Sequence, residues 1–200
     1  MGTMVYELAH TIQKDFPQIW EGIEALNSFL FVARVRQKRN RVGDCLADGI
    51  QIAELEDAPK LALFFSKQPE ESFKWFRPHA FDEKTLRKLL KRDSYVMYVM
   101  EEDGEMIGYA FLRCFFNGKC FLGKIVDVGH RGKGVCTKLC AAGMEMASMM
   151  GLRMFESINK ENIGSMKASE KACDVIVVEE LEGGDVLIED RKKGSLRPEP

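Results

Sequence analysis

Val126-Asp127-Val128-Gly129-His130-Arg131-Gly132-Lys133-Gly134-Val135-Cys136-Thr137-Lys138-Leu139 is the most informative segment for the fold, because an apolar strand runs there into a glycine-rich turn and then into a helix. Glycines let backbone N–H groups approach an anion closely, and a helix N-terminus adds partial positive charge. Two basic side chains in the turn add full charges. The segment therefore predicts a phosphate cradle, formed by Arg131, Gly132, Lys133, Gly134, Val135 and Cys136.

Two better-known glycine-rich loops are excluded by the spacing. A dinucleotide-binding fingerprint requires a third glycine where Thr137 stands. A P-loop requires Ser or Thr after its Gly-Lys pair, where this chain has Gly134, and a glycine where it has Asp127. The cradle therefore belongs to neither class of nucleotide-binding protein.

Three residues of the turn, Arg131, Gly134 and Cys136, resemble the Arg/Gln-x-x-Gly-x-Gly/Ala signature of the GNAT superfamily of N-acyltransferases. Asn162 to Cys173 resembles the second motif of the family, in which an asparagine and a small residue precede a helix. Ile50 to Leu61 resembles the opening strand and first helix of the family. The resemblance covers roughly residues 50 to 190.

The resemblance implies an α/β (α+β) fold with a mixed, mostly antiparallel sheet flanked by helices. In that fold the strand before the phosphate turn separates from the next strand, and the pantetheine arm of acetyl-CoA, the co-substrate, fills the gap. Unpaired backbone groups of Val126 and Val128 then face the pantetheine, while Asn162 and Ser165 belong to the same cofactor site. The implied reaction is direct attack of an amine on the thioester, with an N–H near Val126 polarising its oxygen.

Three residues are candidates for the base that deprotonates the amine: His79 in an aromatic loop, Asp127 after the central strand and Glu156 on the next strand. By the resemblance, Ser169 stands where many family members carry a tyrosine that acts as general acid. Cys136, placed at a helix N-terminus, is expected to have a lowered thiol pKa.

The composition is that of a globular chain, with 46% hydrophobic and 30% charged residues among 200 and a net charge of −2. This balance gives no reason to expect nucleic acid as a partner. The apolar runs, such as Phe29 to Ala33, are far too short for a membrane span. Six cysteines without a Cys-x-x-Cys pair and without a secretory signal favour a cytoplasmic protein with reduced thiols and no metal site.

The chain divides into a helical N-terminal extension (1–49), the acyl-CoA-binding domain (50–190) and a flexible tail (191–200). Apolar spacing in the extension predicts two helices that break near Asp15-Phe16-Pro17. The basic stretch Arg34 to Arg41 is read either as a solvated helix end or as an anion site. Exposed apolar faces on these helices predict a homodimer.

Turn and periodicity signals give the elements of the domain. Asp103-Gly104 and Asn117-Gly118 predict hairpins that separate three strands, 95–100, 106–115 and 120–128. Apolar periodicity closed by Gly151 predicts a helix over 135–150. Further expected elements are a strand over 154–158, a helix over 162–171 and closing strands over 175–178 and 185–189.

The sequence thus predicts an acetyl-CoA-dependent N-acetyltransferase. The expected acceptor is a small-molecule amine, with an amino sugar or a nucleotide-linked amino sugar ahead of a protein N-terminus or lysine. Two alternatives stay open: a non-catalytic acyl-CoA-binding module with a protein partner, and a nucleic-acid-contacting protein that uses the basic stretch.

Overall fold

The structure, a computed structural model, describes residues 17–39, 41–47 and 49–195. Its helices are α1 (Pro17–Arg39), α2 (Ala58–Ser66), α3 (Glu83–Leu90), α4 (Val135–Met150) and α5 (Ile163–Ala172). Its strands are β1 (Ile50–Ile52), β2 (Tyr95–Glu102), β3 (Glu105–Cys114), β4 (Lys119–Val126), β5 (Arg153–Asn159), β6 (Asp174–Glu180) and β7 (Asp185–Arg191).

The seven strands form one sheet in the order β1-β2-β3-β4-β5-β7-β6. Every neighbouring pair is antiparallel except β4 and β5, which are parallel. Both predicted hairpins are present, and at the first of them Asp103 and Gly104 have φ angles of +52° and +81°, as a tight two-residue turn requires. The predicted mixed, mostly antiparallel sheet with flanking helices is therefore confirmed.

Both faces of the sheet are covered, so its central strands are buried on two sides. Val96 and Tyr98 of β2 belong to a core shared with α1 and α4. Their neighbours Met97 and Val99 belong to a second, aromatic-rich core shared with α2 and α3. The Tyr98 hydroxyl donates to a carbonyl of α4 at 2.8 Å, which ties the helix that follows the phosphate turn to the sheet.

Helix α1 is part of the first core. Phe31 and Val35 are almost completely buried there. The amide of Asn27 donates to the Cys114 carbonyl at 2.9 Å and accepts from the Phe116 N–H at 3.1 Å, which fixes the helix against the β3–β4 hairpin. The packing of α1 shows that this helix shares the core of the domain. The division of the chain at residue 49 stays a prediction.

Two N-terminal helices were predicted, and one of them is described. It begins at Pro17 and runs unbroken through Gly22 to Arg39. The earlier helix, and most of the predicted break at Asp15-Phe16-Pro17, lie outside the described residues. Arg34 belongs to the last turns of α1 and donates to the Phe116 carbonyl at 3.2 Å, so this member of the basic stretch is used within the fold.

The predicted tail begins inside the sheet, since Arg191 is the last residue of β7. Lys193 beyond it donates to the carbonyls of Glu170 and Cys173, at 2.8 and 3.1 Å. Residues 196–200 lie outside the described part of the chain.

None of the described helices is long and apolar enough to cross a membrane. A cytoplasmic location stays a prediction.

Candidate functional site

An opening between β4 and β5 is the central feature of the site. Their parallel ladder joins residues 119–121 to 153–155, and these two fully described strands make no further pairs with each other. The Asp127 N–H donates to the Ile107 carbonyl on the β3 side at 3.0 Å. Because backbone groups alternate in direction along a strand, the N–H and C=O groups of Lys124 and Val126 point into the opening. The predicted separation of the two strands is confirmed.

The chain turns immediately after β4, two residues earlier than predicted. The Asp127 carboxylate accepts from the Gly129 N–H at 2.9 Å and so caps the short 3-10 turn Val128–His130. The side chain of Gln68 accepts from the Val128 N–H at 3.1 Å and donates to Asp127 at 2.8 Å. The expectation that Val128 offers an unpaired N–H is therefore wrong, because Gln68 occupies that group.

The predicted cradle lies between this turn and α4. Gly132 and Gly134 have φ angles of +76° and +83°, a conformation that is strained for any residue with a Cβ. The helix begins at Val135, and the N–H groups of its first turn have no partner within the helix. These donors, together with the exposed side chains of Arg131 and Lys133, form a surface suited to a diphosphate.

Cys136 lies in the first turn of α4 but does not behave as the sequence suggests. The thiol is largely buried, and burial raises its pKa, partly offset by the nearby positive charge of Lys124. The expected lowering of this pKa by the helix N-terminus is therefore wrong. A raised pKa leaves the thiol protonated and a poor nucleophile at neutral pH.

The loop between α2 and α3 crosses the mouth of the opening. In addition to the hydrogen bonds of Gln68, the Ser72 hydroxyl of this loop accepts from the Arg131 guanidinium at 2.7 Å. Lys74 forms an exposed ion pair of 3.2 Å with Glu161, which follows β5. Contacts of this exposed kind contribute little stability. The loop therefore meets the ends of both separated strands through polar side chains, and its contact with Glu161 is the exposed one.

A buried ion pair lies beside the opening, between Lys124 of β4 and Glu156 of β5. Both side chains are at most 3% exposed. Ser169 completes the group, because its hydroxyl accepts from Lys124 at 3.1 Å and donates to Glu156 at 2.9 Å. Burial would lower the pKa of Lys124, but the adjacent Glu156 raises it above its usual range. Lys124 is therefore charged, and both carboxylate oxygens of Glu156 are engaged.

This arrangement bears on two predicted roles. A carboxylate buried against a lysine has no open face for an incoming amine, so the geometry gives no support to Glu156 as base. Ser169 is fully buried and its hydroxyl is used by the ion pair. Its hydroxyl is therefore not free for the general-acid role that the resemblance gives to a tyrosine at this position.

His79, another candidate base, has both ring nitrogens occupied. Because a carbonyl only accepts, Nδ1 donates to the Ala80 carbonyl at 2.8 Å, and Nε2 accepts from the Tyr109 hydroxyl at 3.1 Å. Its ring packs edge-on against Phe65 and Phe81. Burial lowers the pKa of His79, which favours the neutral ring. These contacts indicate a structural role.

We predict that His79→Ala lowers the free energy of unfolding by about 1–3 kcal/mol, since it leaves the buried Tyr109 hydroxyl without its partner. Urea unfolding measures this loss. The double variant with Tyr109→Phe should lose less than the sum of the two single losses, because no hydroxyl is orphaned. Unchanged stability combined with a large loss of kcat/KM would instead assign His79 to the acceptor site.

Asp127, the third candidate base, follows β4 at the end of the opening. Its carboxylate also lies 2.9 Å from His130 Nδ1, and His130 Nε2 lies 3.7 Å from Glu102. Burial would raise the pKa of Asp127, but hydrogen bonds from Gln68, His130 and the Gly129 N–H hold it below its usual range. Asp127 is therefore an ionised carboxylate, partly exposed at the end of β4.

Asn162 and Ser165 lie on the other side of the opening, after β5. Asn162 caps α5, and its side chain accepts from the Ser165 N–H at 3.3 Å. Their role toward a cofactor stays a prediction. No role in the site was assigned from the sequence to Gln68, Ser72, Lys124 and His130, and of these four His130 alone lies inside the glycine-rich segment.

Comparisons with known proteins agree with this geometry. Residues 58–174, more than half of the chain, match the model of the acetyltransferase (GNAT) family. No curated protein matches the chain by sequence.

Three similar solved structures show the same fold at low identity. The GNAT domain of S. lividans PAT has a TM-score of 0.62 at 19% identity, over 70% of this chain and 88% of that chain. RimL, a ribosomal L7/L12 α-N-protein acetyltransferase in complex with CoA, has a TM-score of 0.60 at 17% identity, over 74% and 96%. AAC(6')-Ib in complex with paromomycin and acetyl-CoA has a TM-score of 0.57 at 16% identity, over 72% and 92%.

Proposed function

Because the chain belongs to the GNAT family of acetyltransferases, we propose that it transfers an acetyl group from acetyl-CoA to a primary amine. The observation that carries this proposal is the opening between β4 and β5, which ends at the phosphate cradle. An extended pantetheine arm fits between two separated strands as a further strand would. The diphosphate of the same molecule then meets the helix N-terminus.

Each part of the cofactor has proposed contacts. The diphosphate binds Arg131, Lys133 and the backbone N–H groups of residues 132–136. The pantetheine amides pair with backbone groups of β4, and the Val126 N–H polarises the thioester oxygen. Asn162 and Ser165 line the opposite side. Val128 contributes through its carbonyl and its side chain, which is 48% exposed, since Gln68 holds its N–H.

The proposed chemistry is direct transfer. The amine nitrogen forms a bond to the thioester carbon, the C–S bond breaks, and the CoA thiolate leaves and takes up a proton from solvent. The amine must first lose a proton, and Asp127 is the proposed acceptor, acting through water with His130 as its hydrogen-bond partner. A thiolate is a tolerable leaving group, so this reaction does not depend on a tyrosine at position 169.

We predict that Asp127→Asn lowers kcat/KM by about 100-fold, the low end of the contribution of a general base, with little change in acetyl-CoA affinity. The lowered pKa of Asp127 places its loss of activity in the wild-type chain below about pH 4. Steady-state rates across pH test this. Glu102→Gln is the matched control, and equal losses in both variants would contradict a specific role for Asp127.

The acceptor is proposed to be an amino sugar or a nucleotide-linked amino sugar. Trp75, 39% exposed in the loop at the mouth of the opening, offers an aromatic face beside Lys74, which lies 4.0 Å above its ring. AAC(6')-Ib, crystallised with an aminoglycoside, is a similar structure that fits this class. RimL, an α-N-protein acetyltransferase, fits the alternative of a protein N-terminus or lysine.

Release of free CoA thiol in the presence of amines tests the function. The panel contains amino sugars, nucleotide-linked amino sugars, peptides with free N-termini and peptides with free lysines only. We expect the highest kcat/KM for an amino sugar. Preference for a peptide would sustain acetyl transfer and reject the proposed acceptor class.

A second candidate function is a non-catalytic acyl-CoA-binding module with a protein partner. The burial of Ser169 in the ion pair favours it, because no side chain of α5 at that position is free to act as an acid. Acetyl-CoA binding without thiol release on any amine of the panel would support this reading.

The predicted homodimer, which the exposed Leu26 and Phe29 of α1 favour, is tested by the mass in light scattering.

A further inference from the structure

Three buried metal-ligating side chains meet behind the opening, outside the proposed acetyl-CoA site. Cys140 comes from the middle of α4, Cys173 directly follows α5, and Asp190 comes from β7. Their exposed fractions are 0%, 1% and 2%. One ligand atom of each lies within 4.8 Å of the others. Three different elements therefore bring two sulfurs and a carboxylate to one point inside the fold.

Asp190 is the observation that points to a ligand. Neither of its carboxylate oxygens accepts a hydrogen bond from a donor of the described residues, and the side chain within hydrogen-bond reach of Asp190 is another carboxylate, that of Glu156. An ionised carboxylate that is buried without hydrogen bonds or an opposite charge is strongly unfavourable. The nearby cation, Lys124, is already committed to Glu156 and Ser169. Asp190 therefore needs either a proton, which it can share with Glu156, or a positive group from outside the chain.

The donor set fits zinc. The sulfurs of Cys140 and Cys173 are 4.0 Å apart. Tetrahedral zinc with Zn–S bonds of about 2.3 Å holds two sulfurs at about 3.8 Å. Glu156 lies beside these three residues, with its Oε1 3.6 Å from the Cys140 sulfur and its other oxygen facing Lys124. To act as a fourth donor, this Oε1 has to exchange the Ser169 hydroxyl for the metal. Thiolate sulfur and carboxylate oxygen are both zinc ligands, and four of them give the ligand number of a closed tetrahedral site.

We propose that Cys140, Cys173, Asp190 and Glu156 bind one structural zinc ion. The ion would join α4, the end of α5, β5 and β7. It would thereby fix the helix that carries the phosphate cradle to the strand on the other side of the opening. Lys124 neutralises part of the negative charge of the ligands. The expectation of no metal rested on the absence of a Cys-x-x-Cys pair, whereas these cysteines are 33 residues apart.

Metal analysis of the full-length protein, purified without chelator, tests the site. Elemental mass spectrometry should find about one zinc per chain. After removal of zinc, titration with Co²⁺ should produce the intense visible absorption of a tetrahedral site and a thiolate-to-cobalt band in the near ultraviolet, with an endpoint at one equivalent. Both readouts are independent of enzymatic activity.

Variants separate the proposed ligands from other buried cysteines. Cys140→Ala with Cys173→Ala should abolish the thiolate-to-cobalt band, and the near-isosteric Asp190→Asn should weaken Co²⁺ binding at least tenfold. Cys114→Ala is the matched control, because Cys114 lies buried opposite Cys120 in the β3–β4 pair. This control should bind metal as the wild-type chain does.

Two results would overturn the proposal. One is a folded, metal-free chain that gives no tetrahedral Co²⁺ spectrum, in which Asp190 keeps a proton instead, since burial raises its pKa to about 9. The other is a Co²⁺ spectrum that persists in Asp190→Asn and in the double cysteine variant. A disulfide between Cys140 and Cys173 in the purified protein would also overturn the proposal, because it removes both thiolates.

Discussion

Chains that carry Arg131→Glu together with Gly134→Asp are expected to bind acetyl-CoA at least about 1,000-fold more weakly than the unchanged chain. The first change removes a charged donor from the diphosphate and replaces it with a negative charge. The second places another carboxylate at the N-terminus of α4 and strains a residue with φ of +83°. Isothermal titration calorimetry measures both affinities, and thiol release should vanish in parallel.

Two control variants separate charge from conformation in this result. Gly134→Ala adds the backbone strain alone and should weaken binding far less, because space at this position is open. Ser72→Ala removes the partner that holds Arg131 at 2.7 Å, so it should leave the affinity unchanged or raise it. Full acetyl-CoA affinity in the double charge variant would show that the cradle does not bind the diphosphate.

Lys124→Met is expected to lower the free energy of unfolding by about 3–5 kcal/mol, because it leaves Glu156 buried without its counter-ion. For a chain of this size the melting temperature should fall by about 6–20 °C. Calorimetric melting in the presence of a chelator measures the loss without any contribution from bound metal.

The matched variant is Lys124→Met combined with Glu156→Gln. It removes both charges and keeps an acceptor for the Ser169 hydroxyl, which now bonds Glu156 at 2.9 Å. Its stability should return to within about 2 kcal/mol of the wild-type value, since a neutral replacement of a buried ion pair costs little. A double variant as unstable as the sum of both singles would mean that the two residues act independently.

Much of the fold was predictable because its signals are local. The helix over 135–150 was predicted with the bounds that the structure shows, since an apolar stripe and Gly151 define it within one short segment. The hairpins at Asp103-Gly104 and Asn117-Gly118 likewise depend on a few neighbouring residues. The packing of α1 onto the domain was not predictable, because it rests on contacts such as Asn27 with Cys114, 87 residues away.

The candidate site divides in the same way. The cradle is one continuous segment, so its residues and their spacing could be recognised in the sequence. Two other contacts of the site join distant residues. Lys124 pairs with Glu156, 32 positions away, and Gln68 bonds Asp127, 59 positions away. No local sequence pattern predicts either contact. The end of β4 at Val126 was not predicted either. The strand ends there because the Asp127 side chain caps the turn that follows, and the apolar Val128 made the strand look longer in the sequence.

A crystal structure of the complex with CoA is the first measurement to make, because it shows where the cofactor binds. We expect the pantetheine to lie between β4 and β5, with its amides bonded to the backbone of Lys124 and Val126. The diphosphate is expected to contact Arg131 and the N–H groups of residues 132–136. CoA bound elsewhere on the chain, with the opening between the strands unchanged, would contradict this expectation.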